Sequence, residues 1–224
     1  MDVPAIDEAL EKLPSHEATY RRLRDMVLFG ELAPGQAVTI QGLTEKLESG
    51  MTPVREAIRR LTAEGALEFQ DNRRVCVPRL TAAQLEELAF AKLALEPHLT
   101  CLALRNATPQ SIAHVAAIDA ELDTAIAAGD VSGYLRHNYR FHFAIYDIAD
   151  APILTAIAQS LWLRFAPSLR VVCGRIGTDN LPDQHTEAVA AMRANDADAL
   201  RQAIIEDMTQ GIQQVRLALA NGKI

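Results

Sequence analysis

Thr52-Pro53-Val54-Arg55-Glu56-Ala57-Ile58-Arg59-Arg60-Leu61-Thr62-Ala63-Glu64-Gly65 is the stretch whose reading decides the fold. Val54, Ile58 and Leu61 recur at i, i+4 and i+7, so they line one apolar face of a helix over about Thr52 to Glu64. Thr52 is placed to cap that helix, with Pro53 in its first position, and Gly65 ends it. Arg55, Arg59 and Thr62 fall on another face. Arg60 stands four residues from both Glu56 and Glu64 and is expected to be occupied by them, which leaves Arg55 and Arg59 free. Two unpaired guanidinium groups on an exposed helix face suit the major groove of DNA, where they can take guanine O6 and N7 or phosphate.

Upstream, Tyr20, Leu23, Val27 and Leu28 predict a helix over 15–30 that stops at Gly30. Ala33-Pro34-Gly35 reads as a turn. A short helix with Ile40, Leu43 and Leu47 on one face follows, broken at Ser49-Gly50. Downstream, Leu67 and Phe69 alternate with polar residues, and Val75 and Val77 flank Cys76. Asp71-Asn72-Arg73-Arg74 joins the two runs, giving a hairpin with a basic tip. Arg73 and Arg74 would reach the neighbouring phosphate backbone or the minor groove. Three helices followed by a hairpin is the element order of a winged helix-turn-helix. Residues 1–14 form an N-terminal extension, 15–78 this head, and 79–81 a linker.

The remainder, residues 82–224, reads as helical throughout. Thr81-Ala82-Ala83-Gln84 has the spacing of a capping box. Helices are expected at about 82–105, 109–128, 131–149, 151–172, 180–194 and 196–219, with breaks at Thr108-Pro109, Ala128-Gly129-Asp130, Asp150-Ala151-Pro152 and Asn195-Asp196. The fold class is mainly α, with strands confined to the small wing.

The 224 residues carry a formal net charge of −7, with 49% apolar and 23% charged residues, ordinary values for a globular chain. The charge is unevenly spread. Residues 51–80 hold six Arg against four acids, whereas residues from 81 onward hold eleven bases against sixteen acids. A basic segment joined to an acidic body is compatible with DNA binding, because phosphate fields are screened within about 8–10 Å. Cys76, Cys101 and Cys173 are scattered and odd in number, which suits buried thiols in a reducing compartment rather than a disulfide frame. No stretch approaches the roughly 18 apolar residues of a membrane span. The N-terminus has no apolar run behind a basic patch, so a cytoplasmic protein is expected.

Polar residues stand out on the apolar stripes of the helical half. Asn138 and His142 share a face with Leu135 and Ile145. His185 shares one with Val189 and Met192, and Asp207 lies on a stripe with Leu200, Ile204 and Gly211. A carboxylate on an apolar stripe is costly unless paired, hydrogen-bonded or metal-bound. Four potential ligands thus point inward from three helices. A polar core in which the histidines are simply hydrogen-bonded is the competing explanation.

The residues quoted above carry a resemblance. Leu43-Thr44-Glu45-Lys46-Leu47, the run from Thr52 to Leu61 and Glu64-Gly65 look like the winged-helix signature of the GntR regulators, and Leu32-Ala33-Pro34-Gly35 matches the family's turn. The helical half resembles the FCD effector domain of the FadR branch, and six helices place it near the shorter, VanR-like form, an antiparallel bundle. The resemblance implies a dimeric transcriptional regulator that binds operator DNA and answers to a small effector. It also implies DNA contacts at Thr52 and Arg55, which are retained, and at the position of Gln41; Arg59 joins them by its place on the same helix face as Arg55. The chain departs from the family at Glu48-Ser49-Gly50-Met51, where members usually carry Gly-Val-Ser-Arg, at Gln41 where Arg is common, and at Arg74 where a wing glycine is customary.

Many FCD domains bind a divalent metal through an Asp-x-x-x-His pair and two later His. Asn138 aligns with that Asp, His142 and His185 with the first two His, and Asp207 with the third. Two imidazoles, a carboxylate and an amide oxygen suit zinc, nickel or manganese-type ions. Lys92 aligns with a cavity-lining Arg of the family and would suit an anionic, carboxylate effector, with Arg140 and Arg164 as further candidates. Two other functions compete. A helical metal hydrolase using His142, His185 and Asp207 lacks an evident nucleophile or base and leaves the basic head unexplained. A metal- or ligand-binding module with weak DNA recognition is suggested by Met51 and Gln41.

Overall fold

The computed structural model describes residues 15–70, 74–176 and 184–222, with the side chains of 175 and 176 left aside. The chain separates into two compact units, one ending at Arg79 and the other beginning at Leu80.

The first unit contains α1 (Ser15–Leu28), β1 (Val38–Thr39), α2 (Ile40–Lys46), α3 (Met51–Ala63), β2 (Glu68–Gln70) and β3 (Arg74–Cys76). Its core is the apolar stripe read from the sequence: Leu23, Val27, Val54, Ile58 and Leu61 are each at most 1% exposed. β2 and β3 form the expected antiparallel hairpin, with Phe69 opposite Val75. The sheet has a third strand that alternation could not reveal, because β1 is two residues long. Val38 pairs with Val75, giving the order β1-β3-β2. Gly35, at φ +76°, turns the chain into β1, and its N–H donates to the Val77 carbonyl at 2.8 Å.

Two details of the head differ from expectation. α3 begins at Met51, one residue early, with Gly50 at the N-cap and no side-chain cap; Thr52 and Pro53 lie inside the first turn. Glu56 pairs with Arg59 (3.3 Å) rather than Arg60. Arg60 instead reaches Glu17 of α1 at 3.0 Å and Glu64 at 3.3 Å, and lies over the Tyr20 ring, 3.5 Å from its centroid. The reason is tertiary: α1 packs across α3 and brings an acid and an aromatic face to Arg60 that local spacing cannot supply.

The second unit contains α4 (Ala82–Ala103), α5 (Pro109–Ala127), α6 (Val131–Ile148), α7 (Pro152–Ile176), α8 (His185–Ala194) and α9 (Ala197–Ala220). These are the six expected helices; α7 runs four residues further than read, and the expected start of α8 near 180 lies outside the described residues. The capping box at Thr81 forms, with Gln84 N–H donating to Thr81 Oγ1 at 3.2 Å and Thr81 N–H to Gln84 Oε1 at 3.0 Å. α4 packs against α6, α7 and α9; α5 packs against α6 and α8; and α8 packs on α9. Leu85, Leu99, Val115, Ile145, Leu200 and Ile204 are fully buried at these contacts. Among the described residues no helix is long and apolar enough to cross a membrane.

Candidate functional site

The inward faces of α6, α8 and α9 converge. His142, His185 and Asp207 each offer a ligand atom, all within 4.8 Å of one another. His142 Nε2 lies 3.1 Å from Asp207 Oδ2, and His185 Nε2 lies 3.5 Å from Asp207 Oδ1. Ligands about 2.0–2.2 Å from one ion stand about 3.0 Å apart at right angles and about 3.4 Å apart at a tetrahedral angle. The two His–Asp separations therefore match those of ligands sharing a divalent ion. Asn138, one turn before His142, is buried and lines the same cavity.

The histidines are almost wholly buried, while the Asp207 side chain is 20% exposed towards the cavity. Burial alone would raise the Asp207 carboxyl, but the charge of His185 and the contact with His142 outweigh it and hold the group below the usual carboxylate range. The cavity encloses about 610 Å³, counting its open mouth. Leu122, Ile126, Phe165, Leu169 and Met208 form its apolar wall, and Lys92, Asn138, His142, His185 and Asp207 its polar part. A few convergent polar groups in an apolar pocket is the usual composition of a small-molecule site.

Lys92 reaches this cavity already engaged. Its Nζ is 2.6 Å from Glu96 Oε1, one turn along α4, and both side chains are at most 2% exposed. Burial lowers the Lys92 ammonium and the adjoining Glu96 carboxylate opposes that shift. The ammonium also lies 4.3 Å from the Trp162 ring centroid. Its charge is thus balanced inside the protein, contrary to the expectation of a cation standing ready for an anion. Arg140 and Arg164 are outside the cavity lining. Arg140 sits on the surface, 2.7 Å from Glu121, and Arg164 is exposed on α7.

Five contributors escaped the sequence reading. Asp119 of α5 brings Oδ1 to 3.3 Å from His185 Nδ1. It lies on the buried stripe of Val115 and Leu122, so the argument used for Asp207 would have found it. Glu96, Tyr146 and Trp162 form a buried cluster beside His142, with Tyr146 OH and Trp162 Nε1 donating to Glu96 Oε2 at 2.6 and 2.9 Å. Burial and the Glu96 carboxylate push the Tyr146 phenol far above its ordinary range. Phe141 stacks on His185 with ring centroids 3.8 Å apart.

In the head, Thr52, Arg55 and Arg59 present exposed side chains on α3, Gln41 on α2 and Arg74 on β3. Gln41 donates to Glu45 at 3.2 Å. Among the described residues Arg59 is held only by its exposed pair with Glu56, a contact that contributes at most about 1 kcal/mol. Arg55 makes no ion pair with the described residues. Arg73, at the wing tip, lies outside the described residues. Thr39 caps α2, accepting from Gly42 N–H at 3.0 Å, and so sets the helix that precedes α3.

Comparison with known proteins agrees with this division. The model for bacterial regulatory proteins of the gntR family matches residues 15–77, and the FCD domain model matches residues 87–210. The HTH-type transcriptional regulator McbR of Escherichia coli (strain K12) is 32% identical over 85% of this chain and 87% of its own length. The solved structure of E. coli McbR/YncC superposes with a TM-score of 0.86 at 29% identity, covering 91% of this chain and 97% of that one. A GntR regulator from Rhodococcus sp. RHA1 superposes with a TM-score of 0.72 at 20% identity over 89% of this chain and 96% of its own, a likeness of fold alone.

Proposed function

From the premise that the chain belongs to the GntR family of bacterial transcriptional regulators and carries an FCD domain, we propose that it is a cytoplasmic, dimeric repressor or activator whose DNA affinity is set by a divalent ion and a small anionic effector in the helical unit. The observation that carries the reading is the convergence of His142, His185 and Asp207 within 4.8 Å on a cavity of the helical unit, in a chain whose first unit exposes Arg55 and Arg59 on α3.

Each part has a role that follows from its chemistry. Arg55 and Arg59 enter the major groove, and Arg74, with Arg73, meets phosphate from the wing. Gln41, where relatives commonly carry Arg, and the retained Thr52 add neutral hydrogen bonds, so the preferred operator differs from theirs. A two-fold dimer matches two half-sites about one helical turn apart. His142, His185 and Asp207 hold the ion, with Asn138 contributing its amide oxygen directly or through water. A bound divalent ion supplies open positions for a ligand carboxylate. Because Lys92 is already paired, the ion rather than the lysine is the main anchor for an anionic effector. The effector acts by binding DNA-competent and DNA-incompetent forms with unequal affinity.

The test is a gel shift against the DNA upstream of the protein's own gene, with parent and Arg55→Ala, at fixed salt. Specific retardation lost in the variant supports the reading. Retardation indifferent to sequence and to Arg55 leaves a ligand-binding module without a reading head. Light scattering at micromolar concentration tests the dimer; a monomer with and without DNA would overturn it.

A further inference from the structure

Glu96 has no solvent exposure and is shared by three neighbours: Lys92 Nζ at 2.6 Å, Tyr146 OH at 2.6 Å and Trp162 Nε1 at 2.9 Å. Ammonium and indole N–H groups can only donate, and an ionised carboxylate can only accept. Tyr146 has one proton, and its 2.6 Å bond to Glu96 consumes it. The same hydroxyl oxygen lies 3.3 Å from His142 Nδ1. Having no second proton, it can only accept there, so this contact is a hydrogen bond only when Nδ1 carries the imidazole proton. The other ring nitrogen, Nε2, is the one 3.1 Å from Asp207 Oδ2.

We infer that Tyr146 is the positioning residue for His142: held by Glu96, it keeps the imidazole proton on Nδ1 and so commits Nε2 to a divalent ion shared with Asp207 and His185. This inference rests on the metal reading proposed above. Metal-ligating histidines usually give their second N–H to a carboxylate, carbonyl or water, which fixes tautomer and ring orientation. In this chain a phenol stands between imidazole and carboxylate. Lys92 holds Glu96 Oε1 and Trp162 shares Oε2 with Tyr146, so the carboxylate is fixed as an acceptor and the donor chain has one direction, from His142 through Tyr146 to Glu96. Without an ion, an Nε2–H could donate to Asp207 Oδ2; with an ion on Nε2 that proton is displaced, and only the Nδ1–H tautomer gives the Tyr146 oxygen a donor.

Tyr146→Phe removes the hydroxyl and keeps the ring that packs against Phe143, with centroids 5.2 Å apart in the parent. The experiment is long-range 15N–1H NMR of the histidine rings in the full chain, without metal and with zinc, for parent and Tyr146→Phe, together with zinc competition against a chromophoric chelator. Parent His142 is expected to show a protonated Nδ1 in both states and zinc-bound Nε2 in the loaded one. The variant is expected to show a mixed tautomer and to bind zinc about 10–100-fold more weakly, as for loss of an outer-shell partner. A bare Nδ1 in the parent would overturn the inference. So would a variant that melts lower yet keeps the parent tautomer and the parent zinc affinity. Should the variant fail to fold, the parent spectra alone decide. A parent that binds no zinc refutes the metal reading, while its metal-free spectrum still decides which nitrogen holds the proton.

Discussion

His142 Nε2 and Asp207 Oδ2 stand 3.1 Å apart, on helices that meet only through tertiary packing. A ring nitrogen and a carboxylate oxygen at that separation can share a proton or a cation, and His185 completes the group of ligand atoms. The carboxylate sits where the resemblance placed a third histidine, and Asn138 where it placed an aspartate, so the set keeps one negative charge but carries it on α9 instead of α6.

Metal should therefore stabilise the protein through Asp207. With zinc at about a hundred times its Kd, folding gains about 2.7 kcal/mol, which is about 5–10 °C in Tm for a chain of this size. Asp207→Ala should abolish the shift, and Asp207→His should retain it. Circular dichroism melts after chelator treatment, with and without added zinc, check this. A parent Tm indifferent to zinc, nickel and manganese would end the metal reading.

Arg55→Ala should cost about 1–3 kcal/mol on the preferred operator and relax discrimination at one base pair. Arg74→Ala should weaken all sequences alike and reduce the salt slope by about one. Arg59 must first leave Glu56, an exposed partner at 3.3 Å, so Glu56→Gln should leave affinity unchanged or slightly improve it. Fluorescence anisotropy across a salt series separates the three behaviours; equal salt slopes for parent and Arg74→Ala would remove the wing from the interface.

Tyr20 should give the head an alkaline weakness. Burial, then the Glu64 carboxylate, pushes its phenol up to about 12. The folded state favours the phenol over the phenolate, so stability is intact below the unfolded value near 10 and is lost as pH rises through about 12. Two pH units correspond to about 2–3 kcal/mol. Tyr20→Phe loses the bonds to Glu64, at 3.0 Å to each oxygen, but should flatten this part of the pH profile. Urea midpoints of parent and variant between pH 9 and 12 test it, since other titrating groups cancel in the difference.

Removing one partner of the buried Lys92–Glu96 pair should be costly, because the other charge is left uncompensated. Lys92→Met should lose about 3–5 kcal/mol. Adding Glu96→Gln should recover part of that loss, since the amide oxygen still accepts from Tyr146 and Trp162 without a buried charge. Equilibrium unfolding of the single and double variants measures the coupling. A double variant less stable than Lys92→Met alone would mean that the carboxylate itself, rather than its ion pair, holds the cluster together.

Local order was legible in the residues because it is set within one or two turns. The apolar stripes of α1 and α3, the capping box at Thr81, the six helices after residue 80 and the placement of His142, His185 and Asp207 on inward faces all follow from 3.6-residue periodicity and backbone end groups. Partner choice did not follow from it. Val38-Thr39 became a strand because β3 had an open edge, and two residues carry no alternation to read. Arg60 took Glu17 and Tyr20 from α1, so Glu56 was left to Arg59. Lys92 meets Glu96, and His142 meets Tyr146, one turn along their own helices, but Glu96 of α4 was joined to Tyr146 of α6 and Trp162 of α7 only by contacts between helices distant in sequence. Periodicity determines which side of a helix a residue faces; which group it meets there depends on how the helices cross, and that was decided by the packing of the whole unit.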